Sequence, residues 1–279
     1  MNNVLVAFKL MHFLDHKKSG KDGYMAVNID MSKAYDKVEW EFIEKVMRRM
    51  GFHEKWVGWV LKCITTVTYS VLSNGEAHGK ITLTRGLRQG DPLSSYLFLL
   101  CTEAFFALIA DASNRQSLNG DSIYKGYPRV THLFFAYDSL LFCKAERWEV
   151  SKLVEILELY EVASGQKINT DKSSVTFSHN MLLETRSEVL EILGPMQDSR
   201  QGKYLSLPSV IGKSKNRVFA EIKEKVWKKL SNWKEKMLSM GGKEILIKVV
   251  TQAIPTYTIS CFQLPKGSCK DLERMERNS

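Results

Sequence analysis

Asp138 sits at the polar tip of His132-Leu-Phe-Phe-Ala-Tyr-Asp-Ser-Leu-Leu-Phe142, between two apolar runs. β-Branched residues are absent there, but the leucine and aromatic content suits two buried strands joined by a tight turn. A carboxylate at the end of a buried hairpin needs a partner, because desolvating it alone is costly. A Lys or Arg would serve. So would a metal ion shared with a second carboxylate from another strand. Asp30 offers that carboxylate, closing the short strand Tyr24-Met-Ala-Val-Asn-Ile-Asp30. A strand end holds a side chain rigidly at an edge reached by solvent, although Asp30 could equally cap a following helix. Asp36 reads as a cap or a surface acid.

Two other stretches have residue types suited to ligands. Arg85-Gly-Leu-Arg-Gln-Gly-Asp-Pro-Leu-Ser94 gathers two glycines and two arginines just before a long apolar segment. Glycines let a backbone approach a flat or anionic ligand, and arginines suit phosphate. An ordinary strand-to-helix loop has the same composition. His12 and His16 lie one helical turn apart, a zinc-binding spacing, but the Glu of an HExxH motif and a third ligand are missing.

The elements that must position these residues follow from periodicity. Apolar side chains at Val4, Leu5, Phe8, Met11 and Phe13 predict a helix over 3–18. A second helix is expected from Met31 to Met50, stopped by Gly51. A third runs from Phe52 to Thr66, with Trp56, Trp59 and Val60 on its apolar face. Strands at 69–75 and 80–84 flank Asn74-Gly75, a strong hairpin signal. Tyr96 to Ala110 reads as a core helix, too short for a membrane span. A helix over 151–164 closes on Gly165, and a strand is expected over 174–178.

The 279 residues, 44% of them hydrophobic, suffice for one large domain and a smaller lobe. Five cysteines show no CxxC spacing, and Met1-Asn-Asn-Val-Leu lacks the basic start of a secretory signal. The chain therefore reads as intracellular, with reduced thiols, and not secreted; nucleus and cytoplasm stay equally open. The net charge is +9, and Lys203 to Lys248 holds twelve Lys or Arg against four Glu, so nearly all the surplus lies there. Val218, Ile222, Val226, Leu230, Trp233 and Met237 recur there every three or four residues, giving a helix with a basic outer face. That face is either simply solvated or a contact for nucleic acid.

Five segments, taken in order, resemble one family. They are Asn28-Ile-Asp30-Met-Ser-Lys-Ala-Tyr-Asp36, Arg85 to Ser94, Phe134-Phe-Ala-Tyr-Asp138, Ala163-Ser-Gly-Gln-Lys-Ile-Asn-Thr-Asp-Lys172-Ser, and Lys203-Tyr-Leu-Ser-Leu-Pro208. Together they look like the reverse transcriptase of plant LINE-type (non-LTR) retrotransposons, with group II intron maturases as near relatives. The resemblance implies an α+β right-hand polymerase. Its palm, an antiparallel sheet backed by helices, would occupy residues 1–200, and a basic helical thumb 201–279. The fingers would be largely missing, as in a truncated copy.

It also implies an RNA template, a DNA primer, deoxynucleoside triphosphates and two Mg²⁺ ions, with no membrane partner. Asp30 and Asp138 would be metal-binding and catalytic. Lys172 would protonate or stabilise the leaving pyrophosphate. Tyr35 resembles the gate that excludes a ribose 2′-hydroxyl. Arg85, Gln89 and Gly90 would contact template and nucleotide, and Tyr204, Leu205, Ser206, Leu207 and Pro208 would grip the primer. Hard oxygen ligands from clustered aspartates are what a pair of divalent ions about 3.5–4 Å apart requires.

One departure bears on chemistry. The family carries Phe-Ala-Asp-Asp at the hairpin tip, and this chain has Phe135-Ala136-Tyr137-Asp138. Tyr137 replaces a bridging ligand with a neutral phenol of pKa about 10. Asp138 cannot substitute by slipping one residue, because the slip turns each side chain to the other face. The expectation is polymerisation lost or reduced by orders of magnitude, or a non-catalytic remnant that binds RNA or RNA–DNA hybrid. Ser95, where the family usually has Pro, and Ser206, where it usually has Gly, alter local turns only.

Overall fold

The computed structural model describes residues 2–122, 128–135, 138–199, 203–204, 207–208, 216–234, 239–251, 253–261, 263 and 265–277. In chain order its first elements are α1 (Asn2–His16), β1 (Tyr24–Ile29), α2 (Trp40–Arg49), α3 (Glu54–Thr65), the hairpin β2 (Thr68–Ser73) and β3 (Glu76–Thr82), and α4 (Pro92–Asn114). β4 (His132–Phe135), β5 (Asp138–Lys144), α5 (Arg147–Ser164), β6 (Ser174–Phe177), α6 (Leu183–Leu193) and β7 (Gln197–Asp198) follow. Beyond them come the short strands β8 (Lys203–Tyr204) and β9 (Leu207–Pro208), then α7 (Asn216–Lys234), α8 (Met240–Leu246), a π-helical turn Ile247–Thr251, α9 (Ala253–Cys261) and α10 (Lys266–Arg277).

The chain divides into two compact units, His16–Arg200 and a second formed by Met1–Asp15 with Gln201–Ser279. The sequence puts residues 1–15 with the first 200, but the structure clusters them with the C-terminal segment. The structure buries Val4, Ala7, Leu10, Met11 and Leu14 of α1, so of the expected stripe only Val4 and Met11 are fully buried and Leu5 is exposed.

A five-stranded sheet in the order β4-β5-β1-β6-β7 centres the larger unit. Its pairs are antiparallel except β6 with β7, which is parallel because α6 carries the chain over between them. The sheet is thus mixed, and the fold is α+β. Strand periodicity sends Met25, Val27 and Ile29 of β1 to one face, beside Leu141, Cys143, Val175 and Phe177. Phe105 of α4 and Leu153, Ile156 and Tyr160 of α5 join that core. Phe105 stacks on Tyr160 at 4.6 Å and on Phe134 of β4 at 5.2 Å between ring centroids. A second core of Val38, Ile43, Met47, Val57, Val60, Leu97, Phe98 and Cys101 binds α2, α3 and α4 together.

Three expectations change. The second helix begins at Trp40, not Met31, because residues 32–37 form turns in which Lys33 takes φ 51°. Trp56 and Trp59 lie on the outside of α3, 50% and 59% exposed, while Val57 and Val60 face the core. The core helix α4 is longer than expected: its 23 residues are long and apolar enough, by length and composition, to cross a membrane. Its packing against α2 and α5 and its buried Leu97, Phe98, Cys101, Phe105 and Ile109 are those of a core helix.

In the other unit α7 buries Phe219, Ile222, Val226 and Leu230 against Ile247, Ile254, Leu272 and Met275. Lys223 pairs with Asp271 of α10. The expected stripe also named Met237, which lies outside the described residues, and Val218 and Trp233, whose side chains do.

Candidate active site

β1 and β5 pair antiparallel with Ile29 opposite Ser139, so one step further puts Asp30 beside Asp138. Phe135 opposes Asp138 across the hairpin, whose two tip residues, Ala136 and Tyr137, lie outside the described residues. Both acids are partly buried. Burial, and then the neighbouring charge of Asp30, raises the Asp138 carboxyl above the usual carboxylate range. Acid beside acid in a half-desolvated place is the electrostatic setting that a cation relieves.

A strap formed by residues 166–173 fixes Asp30 from the opposite side. The backbone N–H of Asp30 donates to Ser173 Oγ at 3.0 Å, and the N–H of Asn169 donates to the carbonyl of Asp30 at 2.8 Å. Ser32 N–H donates to the Lys167 carbonyl at 2.8 Å, and Gln166 Nε2 donates to the Ala34 carbonyl at 2.9 Å. The strap is itself anchored: Gln166 accepts from the Tyr160 hydroxyl at 2.6 Å, and Glu161 accepts from Ile168 N–H at 2.6 Å. Sequence reasoning passed over Asn169 and Ser173. Their only signal was nearness to Lys172 within the fourth motif.

The loop before α4 closes the third side. Leu87 N–H donates to the Tyr35 carbonyl at 2.9 Å, and Gly86 N–H to the Val38 carbonyl at 2.8 Å. Gly86 has φ 92°, and a Cβ there would lie 2.7 Å from the Asp36 carbonyl oxygen, so a side chain is excluded twice over. Asp91 then caps α4 by accepting from Leu93 N–H at 3.0 Å, with Pro92 in the first turn.

These three walls enclose a cleft of about 540 Å³. Asp30, Tyr35, Gln89, Gly90 and Lys172 all line it, as does Asn169. The Tyr35 ring stacks on Phe98 of α4 with centroids 4.7 Å apart and planes 14° apart, which holds its orientation. Gln89 Nε2 donates to Asp36 Oδ1 at 3.4 Å. Arg85 does not line the cleft; its guanidinium donates to Glu39 at 3.2 Å. Tyr204, Leu207 and Pro208 belong to β8 and β9 in the other unit, and Leu205 and Ser206 lie outside the described residues.

Asp30, a lysine, an amide and a glycine turn around one open cleft, with Asp138 next to Asp30 across the strands, suit a polyphosphate and a hard cation. The sequence model of the reverse transcriptase (RNA-dependent DNA polymerase) family matches residues 1–232. The chain belongs to that family. Three curated proteins show which branch of the reverse transcriptases it resembles. The Transposon TX1 uncharacterized 149 kDa protein of Xenopus laevis is 26% identical over 264 residues, covering 94% of this chain and 19% of that protein. An uncharacterized mitochondrial protein of Arabidopsis thaliana is 45% identical over 75 residues, covering 27% of this chain and 58% of that protein. The Pol polyprotein from type-1 retrotransposable element R2 of Popillia japonica is 24% identical over 163 residues, covering 58% of this chain and 26% of that protein. The two transposon proteins are what this reverse transcriptase domain is similar to, and the chain spans about a fifth and a quarter of their lengths. Among solved structures, a telomerase from Candida albicans with a fragment of telomeric RNA overlaps 97% of this chain and 46% of its own. The TM-score is 0.46 at 14% identity.

Proposed function

We propose that this cleft carries out RNA-templated DNA synthesis in a LINE-type element of plant origin, and that the chemistry is impaired in this copy. The observation that supports the reading best is the strand register, which sets Asp30, a lining residue of the cleft, beside Asp138. Asp30 and Asp138 are the residues that would hold Mg²⁺. The donor set suits one such ion, which takes one or two carboxylates and completes its shell with water and phosphate oxygens. Among the described residues no group of three or more His, Cys, Asp or Glu comes together, so a two-ion clamp is short of ligands. When bound, such ions supply charge neutralisation and a more nucleophilic primer oxygen.

The chain's own residues do the rest. Lys172, exposed at the cleft, holds a proton where a leaving pyrophosphate emerges. Tyr35, immobilised on Phe98, restricts the space beside the sugar. Gln89 and Gly90 brace the template base and nucleotide, and Tyr204 to Pro208 grip the primer. Arg85 acts through Glu39, steadying the loop that carries Gln89. Tyr137 follows Ala136 at the hairpin tip, where the resemblance expects an aspartate, and withholds the carboxylate a second ion needs.

Primer extension on a primed RNA template with Mg²⁺ or Mn²⁺ tests both halves. The unaltered chain is expected to extend at least a hundredfold more slowly than Tyr137→Asp. Comparable rates in the two chains would refute the impairment, and hybrid binding with no extension by either would favour a remnant that only binds nucleic acid.

A further inference from the structure

We propose that the outer face of α3 is a stacking platform for single-stranded RNA, separate from the cleft. Trp56 and Trp59 lie one turn apart on that face, half exposed, with ring centroids 5.8 Å apart and planes at 71°. Three residues apart on a helix, the two rings meet side by side and leave one continuous aromatic surface in water. Lys55 precedes Trp59 by four residues and Lys62 follows it by three, so both exposed ammonium groups flank its ring. The acids close to this face in sequence, Glu44 and Glu54, share the single Arg48, so with Lys55 and Lys62 these five groups keep a net charge of +1.

The pairing of aromatic and lysine decides the partner. Protein interfaces enrich tryptophan but deplete lysine, whereas surfaces that hold single strands combine cations along the backbone with rings on which unpaired bases stack. A duplex hides its base faces, so the ligand is single-stranded. Trp56 and Trp59 belong to the same compact unit as the cleft.

Fluorescence anisotropy of a short labelled oligouridylate with the full chain tests this at several salt concentrations. Omitting divalent ion, primer and nucleotide keeps the result independent of polymerase activity. Trp56→Ala with Trp59→Ala is expected to weaken binding about tenfold or more, and Trp56→Phe with Trp59→Phe to restore most of it. Lys55→Gln with Lys62→Gln is expected to reduce the log–log salt slope by about 1.4. Affinity within twofold of the unaltered chain in the double alanine variant overturns the proposal. So does a dimer of the unaltered chain that this variant converts to monomer with RNA affinity unchanged, which would assign the face to a second copy.

Discussion

The two ends of β1 meet opposite electrostatic surroundings. At its start, Tyr24 lies under Lys17, whose Nζ is 4.9 Å from the ring centroid. Lys144, paired with Tyr24 across the sheet, reaches Asp22 at 3.5 Å and Glu146 at 3.4 Å. Burial raises the Tyr24 phenol, Lys144 and Arg129 oppose that, and Asp121 and Asp22 add to it. Acids there are interleaved with cations. At the far end Asp30 meets Asp138, and each acid's strand neighbour is another acid. One strand, six residues long, thus runs from a neutralised end to an unbalanced one. The unbalanced end is where an added cation would stabilise the protein.

Asp121 sharpens the comparison most, because it is the exception at the balanced end. It is 1% exposed, its Oδ1 accepts from Ser122 N–H at 2.7 Å, and its Oδ2 has no partner. Burial pushes its carboxyl up to about 6. A carboxyl whose folded value is raised holds its proton in the folded chain after the unfolded chain has lost it. Stability therefore falls as pH rises from about 4 to about 6. Asp121→Asn is expected to add about 3 kcal/mol at pH 7, with the gain vanishing below pH 4 in urea denaturation. A stability loss at pH 7 would mean that this carboxylate is paired after all.

A smaller effect of the same sign is expected at the other end. Asp138 is also raised, by burial and by Asp30. Asp138→Asn should raise the melting temperature at pH 7 by less than Asp121→Asn does, with the two chains converging near pH 4. Added Mg²⁺ should narrow the gap, since only the unaltered chain gains from the ion. A gap that ignores Mg²⁺ would place the two ends of β1 on an equal footing.

Much of the cleft is legible in the sequence. Asp30, Tyr35, Gln89, Gly90 and Lys172 come from three separated motifs, yet they line one cavity. Short strands with acids at their ends are local signals, and they carried the reading. What failed was tertiary. The turns over 32–37 are held open by bonds from residues 166–173 and by the Gly86–Leu87 loop, which local propensity cannot see. The tryptophans of α3 look like core by type, but the second core is already filled by Val57 and Val60 from the same helix. Arg85 looked like a phosphate ligand because nothing in the sequence shows that Glu39 lies within its reach. Asp121 gave no signal at all, because its isolation depends on Val130 and its neighbours folding over it.

The proposed cation site is formed by the acids at the end of β1. Titration of Mn²⁺ by electron paramagnetic resonance, with Mn²⁺ standing in for Mg²⁺, tests it without any turnover. Tyr137→Asp is expected to bind Mn²⁺ more tightly than the unaltered chain. Adding Asp30→Asn to it should abolish that binding, and adding Asp22→Asn at the balanced end should leave it within twofold. Undiminished Mn²⁺ binding after Asp30→Asn would contradict the account.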